Sequence, residues 1–351
     1  MPRSSCLRTL PILISLALVA CGGDDGGGPP TGTAPPTPAP TSSPSPTPTP
    51  PPASVERNIL PADTNAAITT NLAAHFAVNP APQVPARGRL FVMLPGTGAT
   101  AGVYREIVRT GAARGYHALG LTYPNDEAVG SLCSLSADPD CAGRVRREII
   151  TGEDTSTLVS VNTANAIIAR LTALLQFLDR TFPAEGWGQF LAGGQPDWSR
   201  ITVAGHSQGG GHAGYLAKLF ALDRAVMFAA PGDTGVAPGT AAQWVSLPNV
   251  TAASRQYGFI HTGDPLVPLA TASRAWDVIG LGAFGPLTSV DGNTAPFGNA
   301  RQLTTALPPN PNPTGLSASP NHGAPVVDAV TPRDAQGRPL YAPVWIYLAF
   351  P

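Results

Sequence analysis

The stretch ITVAGHSQGGGHAG, residues 201–214, decides the fold of this 351-residue chain. Its first residues are β-branched or small and apolar, as in a buried strand, and a helical pattern begins at His212. Between the two, GHSQG places Ser207 between glycines, which a sharp and crowded turn from strand to helix requires. Glycine is frequent here, with 38 residues, so the pattern alone proves little and its context has to decide.

Strand and helix patterns alternate along the chain on both sides of this turn. Short apolar runs predict strands, and runs with a spacing of three to four residues predict helices. The predicted strands are residues 90–94, 116–123, 201–204, 224–230, 255–262 and 300–307, and the predicted helices are 103–115, 158–182, 212–222 and 273–280. The last apolar segment, 342–350, fits either a helix or a strand. Such alternation predicts an α/β fold with a mostly parallel central sheet and helices on both faces.

Residues 124–157 interrupt the alternation and predict a small insertion lying over one end of the sheet. They carry Cys133 and Cys141, with seven residues between them. In an exported protein, an isolated pair this close predicts a disulfide that closes a small loop. A zinc site would need further ligands nearby, and the sequence offers none, so we expect neither a metal nor another cofactor.

The chain begins with the features of an export signal. Arg3 and Arg8 precede an apolar run, LPILISLALVA at residues 10–20, that is too short to span a bilayer. Cys21 follows directly, and the segment resembles the signal of bacterial lipoproteins, which implies cleavage before Cys21 and attachment of lipid to it. An ordinary secretory signal with an incidental cysteine is the alternative. The residue after Cys21 is Gly22 and is not acidic, which resembles the pattern of lipoproteins directed to the outer membrane. We therefore expect a lipid anchor in the cell envelope, facing the periplasm or the surface.

The residues after the signal divide into a tether and one domain. Half of the residues from 29 to 52 are proline, and such a segment has too little apolar surface to fold. Proline-rich chain stays extended at about 3.1 Å per residue, which would hold a domain away from a membrane. The sequence therefore predicts a signal at 1–20, a tether at 21–54 and a single domain at 55–351, which no second linker or repeat divides.

The charge of the chain argues against a nucleic-acid partner. The formal net charge is −1, and lysine occurs only at position 218. No basic run is present, as a nucleic-acid surface would require. Nothing in the sequence suggests an obligate protein partner either.

The context of Ser207 resembles the nucleophile elbow of α/β-hydrolases, a superfamily that includes serine esterases and lipases. The resemblance extends from about Leu90 to His322. It implies the α/β-hydrolase fold and makes Ser207 the expected catalytic nucleophile. A serine hydroxyl is a poor nucleophile by itself and needs a basic histidine and an acid to orient that histidine.

The family resemblance also implies the base and the acid, because these enzymes follow the chain order nucleophile, acid, histidine. His322 lies after the last predicted strand and fits the base. Asp264, in GDPLVP directly after the strand at 255–262, fits the acid. Asp233, after the preceding strand, is the alternative acid, whereas Asp328 follows His322 and violates the order.

The remaining histidines fit structural positions. His75 precedes the first predicted core strand, so we expect it at the surface. His117 and His261 lie within predicted strands and are expected in the core. His206 and His212 flank Ser207, but neighbours in a tight turn are expected to point away from it.

The resemblance further implies an oxyanion hole made of two backbone N–H groups. One belongs to Gln208, which follows the nucleophile, and the other to the loop after the first core strand. That loop is LPGTGA, residues 94–99, where Thr97 has the position of the donor and the flanking glycines let the backbone approach. A plain strand-ending turn is the alternative interpretation.

Together these features imply a serine hydrolase that cleaves carboxylic esters through an acyl-enzyme. The expected partner is a small-molecule, lipid or polymer ester, because esters are the commonest substrates of this constellation. Lipase, small-ester esterase, polyester depolymerase and peptidase all remain open. An acyltransferase is a further alternative, and so is a non-catalytic envelope lipoprotein that uses the same fold to bind a ligand.

Overall fold

The computed structural model describes residues 53–311 and 319–351. The predicted signal, Cys21 and nearly all of the predicted tether lie outside the described residues. Within the described ranges, no helix is both long enough and apolar enough to cross a membrane.

Short strands and helices alternate through most of the domain. The strands are β1 Val55–Ile59, β2 His75–Asn79, β3 Leu90–Leu94, β4 His117–Gly120, β5 Leu191–Ala192, β6 Gln195–Pro196, β7 Ile201–His206, β8 Arg224–Phe228, β9 Gln256–His261, β10 Thr288–Ser289 and β11 Gln302–Thr305. The helices are α1 Pro61–Thr64, α2 Arg105–Ala113, α3 Val129–Leu132, α4 Cys141–Thr151, α5 Ile167–Thr181, α6 Gln208–Leu219, α7 Leu269–Ile279, α8 Pro320–Gly323 and α9 Ala342–Ala349.

One sheet organises the described residues, with the strand order β1-β2-β4-β3-β7-β8-β9-β11-β10. The pairs β1-β2 and β2-β4 are antiparallel, and the other neighbouring pairs are parallel. The mostly parallel sheet predicted from the sequence is therefore confirmed, with an antiparallel β1-β2 edge that the sequence patterns did not predict. Because β3, β7, β8 and β9 run in parallel, the loops that follow them leave from the same edge of the sheet.

Helices cover both faces of the sheet, as predicted. Along β3, Leu90, Val92 and Leu94 belong to one apolar cluster, whereas Phe91 and Met93 belong to another. This alternation follows from the two-residue period of a strand, so the two clusters lie on opposite faces. Helices α4, α5, α6 and α7 contribute to the first cluster, and α2 and α9 contribute to the second. The chain therefore has a three-layer α/β architecture, with the sheet between two layers of helices.

The predicted disulfide is present and lies in the interrupting segment. It joins Cys133, which follows α3, to Cys141, the first residue of α4. Helix α4 is not a surface appendage, because its Val145, Ile149 and Ile150 are buried in the core cluster shared with α5 and α6. The segment predicted as an insertion therefore contributes a helix to one face of the sheet.

Several predicted elements are shorter in the structure than in the sequence patterns. The strand predicted at 116–123 is β4, four residues long, and the helix predicted at 158–182 is regular only in α5. The C-terminal apolar segment, which fitted either state, is helix α9.

The prediction that His75 lies at the surface is wrong. His75 is the first residue of β2, which is paired on both sides by β1 and β4, and its side chain is fully buried. Its Nδ1 accepts a hydrogen bond from the Thr122 backbone N–H at 3.0 Å. Burial lowers the pKa of His75 to about 3, so the ring is neutral. The prediction failed because β2 itself was not recognised.

Candidate active site

Ser207 occupies a strained turn between β7 and α6. Its φ of 54° and ψ of −118° lie outside the regions that residues with a side chain ordinarily adopt. A Cβ added at Gly205 would overlap the backbone of Gly209, and one added at Gly209 would overlap the carbonyl of Leu94. Both glycines of the GHSQG motif are therefore required by the close approach of strand, turn and helix, as expected for a nucleophile elbow.

The turn presents the Ser207 side chain beside the loop that follows β3. A Cβ added at Gly96 would lie 2.9 Å from His206 Nδ1 and 3.3 Å from Ser207 Cβ, so a side chain at this position would force its neighbours to shift. Ser207 is half-buried, and its hydroxyl has no hydrogen-bond partner among the described residues. A serine held in this way is open to an approaching reactant.

Asp264 and His322 form a buried pair. Asp264 Oδ2 lies 2.7 Å from His322 Nδ1, and both side chains are almost fully shielded from solvent. The other carboxylate oxygen, Oδ1, accepts the backbone N–H groups of Leu266 and Val267 at 2.9 and 3.0 Å. These bonds fix the carboxylate, which only accepts hydrogen bonds when ionised, so His322 Nδ1 carries the proton. In the neutral ring, Nε2 is then the basic nitrogen.

A contact with His206 holds His322 beside the turn. His206 Nε2 lies 2.9 Å from the carbonyl oxygen of His322, and the two ring centroids are 4.6 Å apart. Because His206 immediately precedes Ser207, the contact brings the His322 segment to the Ser207 turn. The described residues contain no hydrogen bond between Ser207 and the His322 ring. Catalytic hydrogen bonds are often long without substrate, so this geometry leaves His322 a candidate base.

Asp233, the alternative acid, has other partners. It accepts two hydrogen bonds from the guanidinium of Arg146, at 2.5 and 2.7 Å, and a third from Trp244 Nε1 at 2.7 Å. Both members of this ion pair are buried. The structure therefore brings Asp264 to His322 and leaves Asp233 in a separate buried ion pair.

The backbone of the loop at residues 95–99 is held by neighbouring side chains. The Gly96 N–H donates to the Tyr104 hydroxyl at 3.0 Å, and the Gly98 N–H donates to the Asn125 carbonyl at 2.8 Å. The Asn125 side-chain amide donates to the carbonyls of Gly96 and Ala99, at 2.5 and 2.9 Å. Tyr104 and Asn125 are both buried. This bracing fixes the loop before any ligand arrives.

Two backbone N–H groups remain open beside Ser207. Neither Thr97 nor Gln208 has an acceptor for its backbone N–H within residues 53–311 and 319–351. Their side chains hydrogen-bond to each other, with Thr97 Oγ1 donating to Gln208 Oε1 at 2.7 Å. Gln208 also begins α6, whose N-terminus carries a partial positive charge. Free donors of this kind suit a developing negative oxygen.

His117, His212 and His261 occupy structural positions, as the sequence predicted. His117 and His261 are buried in β4 and β9, where each ring contacts a backbone carbonyl. His212 is buried within α6. No group of three or more metal-ligating side chains is present in the described ranges.

Sequence reasoning missed the two residues that brace the 95–99 loop. Tyr104 lies at the start of α2, and Asn125 follows β4, so neither belongs to a motif around Ser207. The sequence predicted only that several loops converge at the carboxyl ends of the parallel strands, which is the region where Tyr104 and Asn125 lie.

Comparisons with known proteins give a distant structural similarity and no sequence match. No protein-family model matches the chain, and no curated protein matches it. Among solved structures, the chain is similar to the crystal structure of TT1662 from Thermus thermophilus, at 15% sequence identity and a TM-score of 0.34. That likeness covers 72% of this chain and 87% of the other.

Proposed function

We propose that this protein is a serine hydrolase that cleaves carboxylic esters. In this proposal Ser207 is the nucleophile, His322 the general base and Asp264 the residue that orients His322. The backbone N–H groups of Thr97 and Gln208 bind the oxyanion. The observation that carries the proposal is the 2.7 Å bond between Asp264 Oδ2 and His322 Nδ1, held beside a strained serine turn.

The mechanism follows from the donors and acceptors at the site. Ser207 Oγ attacks the acyl carbon while its proton passes to His322 Nε2, and the Asp264 carboxylate stabilises the imidazolium that forms. The carbonyl oxygen becomes an oxyanion and accepts the two free backbone N–H groups. The C–O bond then breaks, and the leaving alcohol takes the proton from His322 Nε2. Water, deprotonated by the same nitrogen, releases the acid from the acyl-enzyme and restores Ser207.

Substitution of Ser207 tests the proposal. Ser207→Ala is expected to lower kcat on p-nitrophenyl esters by at least about 10⁴-fold, because the covalent step is lost. Ser199→Ala is the matched control, since Ser199 is exposed at the opposite end of β7 and should leave kcat unchanged. Full esterase activity in Ser207→Ala would contradict the proposal.

The preferred acyl chain and the acceptor of the acyl group can be determined with the same kind of assay. A panel of p-nitrophenyl esters of increasing chain length would rank short-chain esterase against lipase activity. Product analysis with added alcohols would reveal an acyltransferase, because the acyl group would then pass to the alcohol instead of water.

We further propose that the protein is exported and lipid-anchored through Cys21. The support is the sequence alone: an apolar run ends directly at Cys21, and a proline-rich segment follows. Each buried methylene of an attached chain contributes about 0.8 kcal/mol, so several acyl chains would hold the protein firmly in a membrane. Intact-mass analysis of the native protein should find lipid on Cys21. An unmodified N-terminus at another residue would contradict this anchor.

A further inference from the structure

We propose that Tyr104 and His206 are positioning residues that link the 95–99 loop to the His322 segment across the nucleophile turn. This inference rests on the proposed function, because it assigns the link a role in holding the hydrolytic groups. Neither residue is proposed to touch substrate; each acts through the residues it holds.

Three hydrogen bonds form a continuous chain through these two side chains. The Gly96 N–H donates to the Tyr104 hydroxyl at 3.0 Å. The Tyr104 hydroxyl lies 3.0 Å from His206 Nδ1, and His206 Nε2 lies 2.9 Å from the His322 carbonyl oxygen. This series of hydrogen bonds therefore begins in the 95–99 loop, passes through the residue before Ser207 and ends on the residue that carries the candidate base.

The chemistry of the end groups fixes the direction of each bond. The His322 carbonyl can only accept, so His206 Nε2 carries the proton. In the neutral ring, Nδ1 is then an acceptor, and the Tyr104 hydroxyl must donate to it. The hydroxyl oxygen accepts the Gly96 N–H in turn. Every polar group in the chain is satisfied in a single arrangement.

Burial keeps this arrangement in one protonation state. Tyr104 is 1% exposed and His206 is 6% exposed. Desolvation lowers the pKa of His206 to about 3, so its ring stays neutral in ordinary buffers. Burial also raises the pKa of Tyr104, which keeps its hydroxyl protonated.

A second tie fixes Tyr104 from the other side. The carboxylate of Asp328 accepts the backbone N–H groups of Arg105 and Glu106, at 2.8 and 3.2 Å, at the start of α2. Asp328 belongs to the segment that follows His322. The start of α2 and the His322 segment are therefore joined twice, once by this helix cap and once through His206.

The link connects groups whose relative placement matters most in the transition state. Gly96 precedes Thr97, whose N–H is a proposed oxyanion donor, and His322 supplies the proposed base. Small displacements of such groups reduce transition-state stabilisation more than they reduce substrate binding. Loss of the link should therefore lower kcat with little effect on KM.

Tyr104→Phe tests the inference, because it removes one hydroxyl and both bonds that the hydroxyl makes. We expect kcat on p-nitrophenyl butyrate, per active site titrated with a fluorophosphonate, to fall by at least about tenfold, and KM to stay within about twofold. Tyr116→Phe is the matched control. Its hydroxyl forms no hydrogen bond with any residue in the described part of the chain. Tyr116 directly precedes β4, at the end of the parallel strands opposite to the candidate site. Its kcat should be unchanged.

A merely structural role would give a different result. It would lower the melting temperature and the titrated fraction of Tyr104→Phe but leave kcat per titrated site unchanged, and that outcome would overturn the inference. Nitrogen-15 NMR of the histidine rings tests the link without activity. His206 should be a neutral ring protonated at Nε2 from about pH 5 to about pH 8. Protonation at Nδ1 instead would overturn the link, whereas a wild type that no fluorophosphonate titrates would overturn the proposed function.

Discussion

Two buried aspartates, Asp233 and Asp264, follow neighbouring strands of the sheet, but they differ in their hydrogen-bond partners. Asp264 meets a histidine ring and two backbone N–H groups. Asp233 meets a guanidinium and an indole N–H, which occupy both of its oxygens. The sequence left both open, because each follows a strand at the same edge of the sheet. Only the fold decides which one faces His322.

Asp264→Asn should abolish most activity while the fold persists. An amide nitrogen facing His322 favours the tautomer protonated at Nε2, which cannot accept the serine proton. We expect kcat to fall by roughly three to four orders of magnitude, with a melting temperature close to wild type. Steady-state kinetics and thermal denaturation on the same sample check this. A kcat within tenfold of wild type would remove Asp264 from the proposed mechanism.

The sequence predicted the residues that carry motifs and missed the residues that support them. Ser207, Asp264 and His322 could be predicted as candidates because each lies in a local pattern or at a set place in the chain order. Tyr104 and Asn125 act through contacts with residues distant in sequence, which no local pattern records. His75 was misplaced for a related reason, since its burial depends on the position of β2 between β1 and β4 in the sheet.

At the scale of elements, helix α4 supports the start of α6. Its Arg146 donates from Nη1 to the carbonyl of Gln208 at 3.0 Å, and any side chain at position 211 would overlap the guanidinium. In the sequence RVRREI, residues 144–149, Arg146 is buried while Arg144 and Arg147 are exposed. Charge alone did not reveal which arginine has a buried partner.

Asp233→Asn should destabilise the protein through this element. The substitution leaves the buried Arg146 without its counter-charge, and breaking such pairs costs about 3–5 kcal/mol. Urea unfolding should detect that loss, whereas kcat per titrated site should stay within about fivefold. Glu153→Gln is the control, because it removes only an exposed ion pair with Arg147, worth at most about 1 kcal/mol. Equal stabilities of the two variants would contradict this account of α4.

At the scale of the whole molecule, the parallel part of the sheet was predictable and its antiparallel edge was not. Strands β3, β7, β8 and β9 are buried almost throughout, so they read as largely apolar runs in the sequence. Strand β1 is VERNI, largely exposed at the edge of the sheet, and its polar composition gives no such signal. Edge strands depend on their neighbours more than on their own composition.

The folded protein should lose stability on mild acidification. Burial lowers the pKa of His75 and His206 from 6.5 to about 3, and that of His212 well below 6.5. Their contribution is complete above pH 6.5 and is lost as the pH falls. Burial raises the pKa of Asp328 from 3.8 to about 7, so its contribution is complete below about pH 4 and is lost as the pH rises. As the pH falls from about 7 to about 5, the stability lost through the three histidines exceeds the stability gained through the one carboxyl group.

Urea unfolding at about pH 7 and about pH 5 measures the effect, and the free energy of unfolding should be lower at pH 5. Asp328→Asn removes the opposing carboxyl, so its stability should fall more steeply between the two pH values than that of the wild type. An unfolding free energy that is equal or higher at pH 5 would show that these histidines are not buried as neutral rings.

The most direct test of the central claim is covalent labelling of the intact protein with a fluorophosphonate, followed by peptide mapping of the adduct by mass spectrometry. The proposed site predicts one adduct, on Ser207, with labelling strongly slowed in His322→Ala because the serine then lacks its base. An unlabelled wild type, or an adduct on another serine, would contradict the assignment of Ser207 as the nucleophile.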